Sequence, residues 1–256
     1  ESLKDFYVLI NKKGKHLNTP EVYKSEFHDT NFLRLSSELS DYQNFIELDL
    51  FTSASSNRMN DRAFIEELLV FQKLGIRDKK KDVESTYKND ISDEEFDILE
   101  TRFKEVVDII HHFNEISAIK LTRYKQKNDF YTLFAFVDEN LGLKQDILDY
   151  QYRILLLLDG VDKDGKQFIR PTNQGSDTLK RYAYHCVTQS NSKTAREIRL
   201  EIFNALLKNE KPEPNKLLLD VLVYLQQEYA VDSICLKNIG AYYLLDLDKL
   251  KKLDHE

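Results

Sequence analysis

Lys193, Arg196 and Arg199 recur every three residues, a spacing that sets three cations on one side of a helix. With Lys180 and Arg181 shortly upstream they supply what a basic groove for phosphate groups needs. Glu197 and Glu201 alternate with them, so salt bridging on a solvated face is a second reading, and the sequence leaves both open. Other constellations fail on spacing. If Gly165 takes the sixth position of a calcium loop, Asp162 and Asp164 fall correctly, but Gly160 and Pro171 fall where carboxylates are required. His111 and His112 are neighbours on a helix, so their side chains diverge by about 100° and cannot share one ion. His185 and Cys186 are adjacent too, and cannot act as base and nucleophile on each other. The acidic pairs Glu66-Glu67 and Glu94-Glu95 are expected on helix surfaces, and Lys12-Lys13-Gly14-Lys15 lacks the glycine spacing of a P-loop.

Composition narrows the class. Lys and Arg number 37 against 44 Asp and Glu, a formal net charge of −7. That balance excludes a whole-surface footprint for nucleic acid and confines DNA contact to local clusters, such as Lys12, Lys13 and Lys15, residues 79–81, or Lys120, Arg123, Lys125 and Lys127. Hydrophobic residues at 41% and charged residues at 32% belong to a folded chain, and seven glycines with four prolines are too few for a turn-dense β design. Cys186 and Cys235 make neither a disulfide framework nor a metal-ligand spacing, which implies a reducing compartment. No signal-peptide pattern or membrane-length apolar run is read, so the expected location is cytoplasmic, with no membrane partner.

The elements that must position these residues are mostly helices. Residues 6–10 form an unbroken apolar run, expected as a covered strand, followed by a turn at Gly14 and a helix with Thr19 as cap and Pro20 at its first position. Helices are predicted over 31–39 and 42–51, then from Asn60, carrying Phe64, Leu68 and Phe71, to a stop at Gly75. Residues 79–82 read as a charged link. Ser92 and Glu95 form a capping box before Phe96, Leu99, Phe103, Val106 and Ile110, one long amphipathic helix to about residue 119. The polar stretch 120–128 divides the chain into regions 1–120 and 121–256. Beyond it come helices over 129–140 and 145–158, from Ser176 or Asp177, from Ser192 and from Asn215, with an extended piece at 231–236 and a terminal helix at 245–253.

The run Ile10-Asn11-x-x-Gly14-x-x-Leu17-Asn18-x-x-Glu21 resembles the motif of the GmrS-like family, ParB-like proteins of bacterial systems that restrict modified phage DNA. Asn57-Arg58-Met59-Asn60-Asp61-Arg62, ahead of an apolar helix, is similar to a second family feature; Asn128 to Phe134 and Ser192-Lys193-x-x-Arg196-x-x-Arg199 resemble it more weakly. The resemblance implies a mainly α chain: multi-helix domains, with a small strand remnant of a ParB-like α+β core at the N-terminus. It implies nucleotide binding coupled to recognition or restriction of modified DNA. Asn11 and Asn18 would orient backbone or ligand, Gly14 would allow close approach, and Lys13 and Lys15 would meet phosphate. Glu21, Arg58, Lys193, Arg196 and Arg199 complete the nucleotide- or DNA-side set. The implied partners are an upstream ParB-like segment or another copy, and DNA.

The family's Asp-Gly-Gln-Gln-Arg signature is missing from these 256 residues, as is a His-Asn-His nuclease signature. The chain by itself is therefore expected to hold no cofactor, the nucleotide entering in the full-length protein, and to hydrolyse none to any substantial extent. Without an upstream segment over the 6–10 strand it is expected to self-associate or dissolve poorly. The alternative, from another class, is a helical protein-interaction scaffold without catalytic activity.

Overall fold

Polar side chains start most of the helices. The computed structural model describes residues 17–231, 233 and 236–251. In chain order the first seven helices are α1 (Thr19–Glu26), α2 (Asn31–Ser40), α3 (Gln43–Glu47), α4 (Ser53–Ser56), α5 (Asn60–Leu74), α6 (Lys79–Asn89) and α7 (Asp93–His112). Then follow α8 (Lys127–Asp138), α9 (Gln145–Leu158), α10 (Asp177–Val187), α11 (Lys193–Leu207), α12 (Lys216–Glu228), the strands β1 (Leu236–Ile239) and β2 (Tyr242–Leu245), and α13 (Leu247–Lys251). The chain is mainly helical, and the sheet among the described residues is this one antiparallel pair. The strand expected at 6–10 lies outside the described residues.

Ser92, Ser176, Ser192 and Asn215 each accept a backbone N–H at the start of their helices, as their positions predict. α1 begins one residue earlier than expected: Asn18 is the cap, and Thr19 is the first helical residue. Asn18 Oδ1 accepts the Glu21 N–H at 3.0 Å while Glu21 accepts the Asn18 N–H at 2.7 Å, a reciprocal capping box. α5 starts differently. Met59 holds its cap position at φ 56°, and Asn60, the expected cap, donates from Nδ2 to the Ser55 carbonyl at 3.1 Å. Gly75, at φ 73°, ends that helix as predicted.

α8 is the centre of the molecule. Every residue from Asp129 to Asp138 is buried, and the helix packs on α5, α7 and α11. Its aromatic residues meet those of its neighbours, Phe130 on Phe64 at 5.9 Å and Phe134 on Phe103 at 5.4 Å between ring centres. Two of its buried polar groups bond across the core: Thr132 accepts from Arg199 Nε at 3.0 Å, and Asp138 accepts from Gln72 at 2.7 Å and also binds Arg102. The stretch 120–128, expected to divide the chain, holds two 3-10 turns whose Ile119 and Tyr124 are fully buried, and the apolar core is continuous across it.

Four expected elements change. The charged link at 79–82 is the start of α6, because Val83 and Tyr87 give that polar segment one buried stripe. The long helix stops at His112 and tightens into a 3-10 turn, and the helix expected over 42–51 covers Gln43–Glu47 alone. The C-terminal end folds as a hairpin, with Leu236 opposite Leu245 and Gly240 at φ 61° in the turn. Tyr242, Leu244 and Leu245 are buried there, and the Tyr243 N–H donates to the Asn209 carbonyl at 2.7 Å, contacts that local periodicity does not encode.

Candidate functional site: a cavity beside α1 and α5

Three of the candidate residues meet at one place. The capping box sets Glu21 on the first turn of α1, and the left-handed turn at Met59 sets Arg58 opposite it. Arg58 Nε lies 2.8 Å from Glu21 Oε1 and its Nη2 lies 3.0 Å from Oε2, a two-pronged carboxylate contact. Asn18 Nδ2 donates to the Arg58 carbonyl at 2.7 Å, and Arg62 donates to the Pro20 carbonyl. Asn11, Lys13, Gly14 and Lys15 lie outside the described residues.

Asn18, which bonds to Arg58, also lines a cavity of about 490 Å³. Asn18, Pro20 and Tyr23 line it from α1, Ala63, Glu66 and Glu67 from α5, and Val83 and Glu84 from α6. The volume lies within the roughly 300–1,000 Å³ usual for small-molecule sites. Glu66 and Glu67, expected on a helix surface, are 2% and 4% exposed, because α5 is covered on nearly every side. Glu66 accepts from Arg62 Nε at 3.1 Å and from the Tyr87 hydroxyl at 2.5 Å. Burial pushes its carboxyl above the usual range, against the pull of Tyr87 and Arg62. Burial and the neighbouring Glu66 in turn raise the Tyr87 phenol. These groups offer carboxylate and amide contacts to a ligand's hydrogen-bond donors. Among the described residues no cluster of three or more His, Cys, Asp or Glu suited to a metal ion occurs.

The cations of α11 are placed otherwise. Arg196 is 4% exposed and Arg199 is fully buried, since the side of the helix they share faces the core. Arg196 Nη2 donates to Glu67 at 2.7 Å, and Arg199 Nη1 donates to the carbonyls of His185 at 2.6 Å and Ser190 at 2.9 Å. Lys193 stays at the surface, its Nζ 3.6 Å from Glu197, while Asp78 accepts its backbone N–H at 2.8 Å. Arg181 pairs with Glu201 at 3.3 Å and Lys180 is exposed. The five do not line one groove.

The remaining constellations are structural. Asp162 Oδ1 accepts the N–H groups of Asp164 and Lys166, and its Oδ2 meets Arg170 at 2.6 Å, which closes the loop on itself. His111 turns to Glu47 at 2.7 Å and His112 to Asp149 at 3.5 Å. A network that spacing did not reveal joins Asp129 to Arg123 Nε at 2.8 Å, the Tyr182 hydroxyl at 2.9 Å and the Cys186 thiol at 3.6 Å. Burial and Asp129 push that thiol up to about 12, so it is an inert packing group. Of the residues now at the cavity, the signal within reach of sequence was Glu66-Glu67, two carboxylates inside the apolar run from Phe64 to Phe71.

No helix among the described residues is long and apolar enough to cross a membrane. Comparison with family models, with curated proteins and with solved structures gives no match for this chain.

Proposed function

We propose that this chain is part of a GmrS-like phage-defence protein that couples nucleotide binding to recognition or restriction of modified DNA. One observation carries the reading. Asn18 and Glu21, from the first family-like stretch, bond to Arg58, from the second, and Asn18 lines a ligand-sized cavity. Two stretches far apart in sequence thus serve one spot in the fold. In this reading the Asn18 amide and the carboxylates of Glu66 and Glu84 at the cavity take the donors of base and sugar. The phosphates fall to Lys13 and Lys15, which precede Asn18 closely in sequence. Phage plating on cells that express the full gene tests it. Fewer plaques for a phage with modified DNA than for its unmodified counterpart, restored by Arg58→Gln, are expected; equal plating of both phages contradicts it.

A second reading, a helical interaction scaffold without catalysis, is favoured by the placing of Arg196 and Arg199, whose charges are spent on internal partners. Under it, Arg58→Gln changes neither plating nor nucleotide binding, and the protein co-purifies with a partner from its own cells in a fixed ratio.

A further inference from the structure

We propose that the cavity beside α1 and α5 is a binding site for a small organic cation that carries N–H donors, a primary ammonium or a guanidinium. The inference goes beyond the function proposed above and needs no nucleotide. Its first ground is one atom. Glu66 is 2% exposed, and both of its bonds, from Arg62 Nε and from the Tyr87 hydroxyl, fall on Oε1. Oε2 accepts a hydrogen bond from none of the described residues, yet it is not sealed in, and the cavity is the space that Glu66 lines. A buried carboxylate thus keeps one oxygen open to whatever enters there. Protein interiors pair almost all such groups, so this oxygen marks the place of a donor.

The surroundings favour a donor that is charged. Among the described residues that line the cavity, the charged ones are Glu66, Glu67 and Glu84, and none is Lys or Arg. Arg62 and Arg196 pair with Glu66 and Glu67 from outside the lining, and Lys88 meets Glu84 at the surface. Those pairs offset much of the acidic charge, so selection rests on the open oxygen and not on a sum of charges. Burial pushes the Glu66 carboxyl above its usual range; a cation on Oε2 relieves that cost, and an anion would add to it. Tyr23 lines the same cavity, its ring held against those of Phe27 and Tyr87 at 5.7 and 5.1 Å. An aromatic ring beside a carboxylate suits an organic cation. Pro20, Ala63 and Val83 supply apolar wall for a short methylene chain.

Thermal unfolding of the protein, titrated with agmatine or putrescine against tetramethylammonium at matched ionic strength, tests the site. The agmatine arm reads a guanidinium and the putrescine arm an ammonium, while tetramethylammonium carries charge without N–H groups. A saturable rise in midpoint with at least one of the two amines above tetramethylammonium is expected. Glu66→Gln should weaken its apparent affinity by about tenfold. Ala63→Leu narrows the cavity and leaves the carboxylates in place, so it should abolish the rise even where Glu66→Gln is too unstable to read. No rise above tetramethylammonium with either amine overturns the proposal. So does a rise undiminished in Ala63→Leu, which would report cations gathered by the net charge of −7. No nucleotide is present in this experiment, so its failure is distinct from a failure of the function proposed above.

Discussion

Arg58 and Arg196 hold carboxylates in the same manner and in opposite surroundings. Arg58 grips Glu21 beside the cap of α1, with side chains 28% and 18% exposed; Arg196 holds Glu67 inside the protein, with both at 4%. At the rim formed by the first pair, water competes for both charges, so the pair adds little to stability. In the interior no water stands in for a lost partner, so the pair belongs to the fold. Residue type does not separate the two roles. Burial does.

The largest effect expected is on the interior side. Arg196→Met strands Glu67 as a buried charge and should cost about 3–5 kcal/mol in urea unfolding. Adding Glu67→Leu to it should recover most of that loss, and a single variant as stable as the parent would erase the contrast. Arg199→Met removes charged bonds to Thr132, His185 and Ser190 and should cost about 1.5–3 kcal/mol by the same measurement. At the rim, Asn18→Ala removes the cap of α1 and should cost about 1 kcal/mol. Arg58→Gln should cost less than about 1 kcal/mol, because its pair is partly solvated.

The smallest effect expected is a pH dependence at the start of α7. The bond from Lys73 and the Ser92 N–H hold the Glu95 carboxyl below its usual 4.5. A carboxyl lowered on folding contributes stability above its unfolded value and loses it as pH falls through the folded one. Glu95→Gln should therefore flatten the acid limb of the stability profile below that value, and parallel profiles for the two proteins would remove the effect.

Much of the fold was legible where a side chain announces a helix start. The Ser92–Glu95 box, the Ser192 and Asn215 caps and the full extent of α9 follow from sequence because capping is local. α5 shows why the rest was not. From Phe64 to Gln72 every residue is buried, so there is no polar side for Glu66 and Glu67 to mark, and two interior carboxylates read as solvated ones. The β1–β2 hairpin was hidden for a related reason. Tyr150 donates to the Leu245 carbonyl at 2.9 Å and the Asn209 carbonyl accepts from Tyr243, contacts made by residues far off in sequence. At the site, Asn18, Glu21 and Arg58 were legible as residues, but their contact, set by the turn at Met59, was not.

Equilibrium binding of a radiolabelled nucleoside triphosphate to the full gene product, compared with its Arg58→Gln form, tests most directly that the rim faces a ligand while the interior pair serves the fold. The account predicts saturable binding that Arg58→Gln weakens by about tenfold, about 1.4 kcal/mol, with nearly the parent's unfolding midpoint. No saturable binding by the parent, or equal affinity in the two forms, would contradict it.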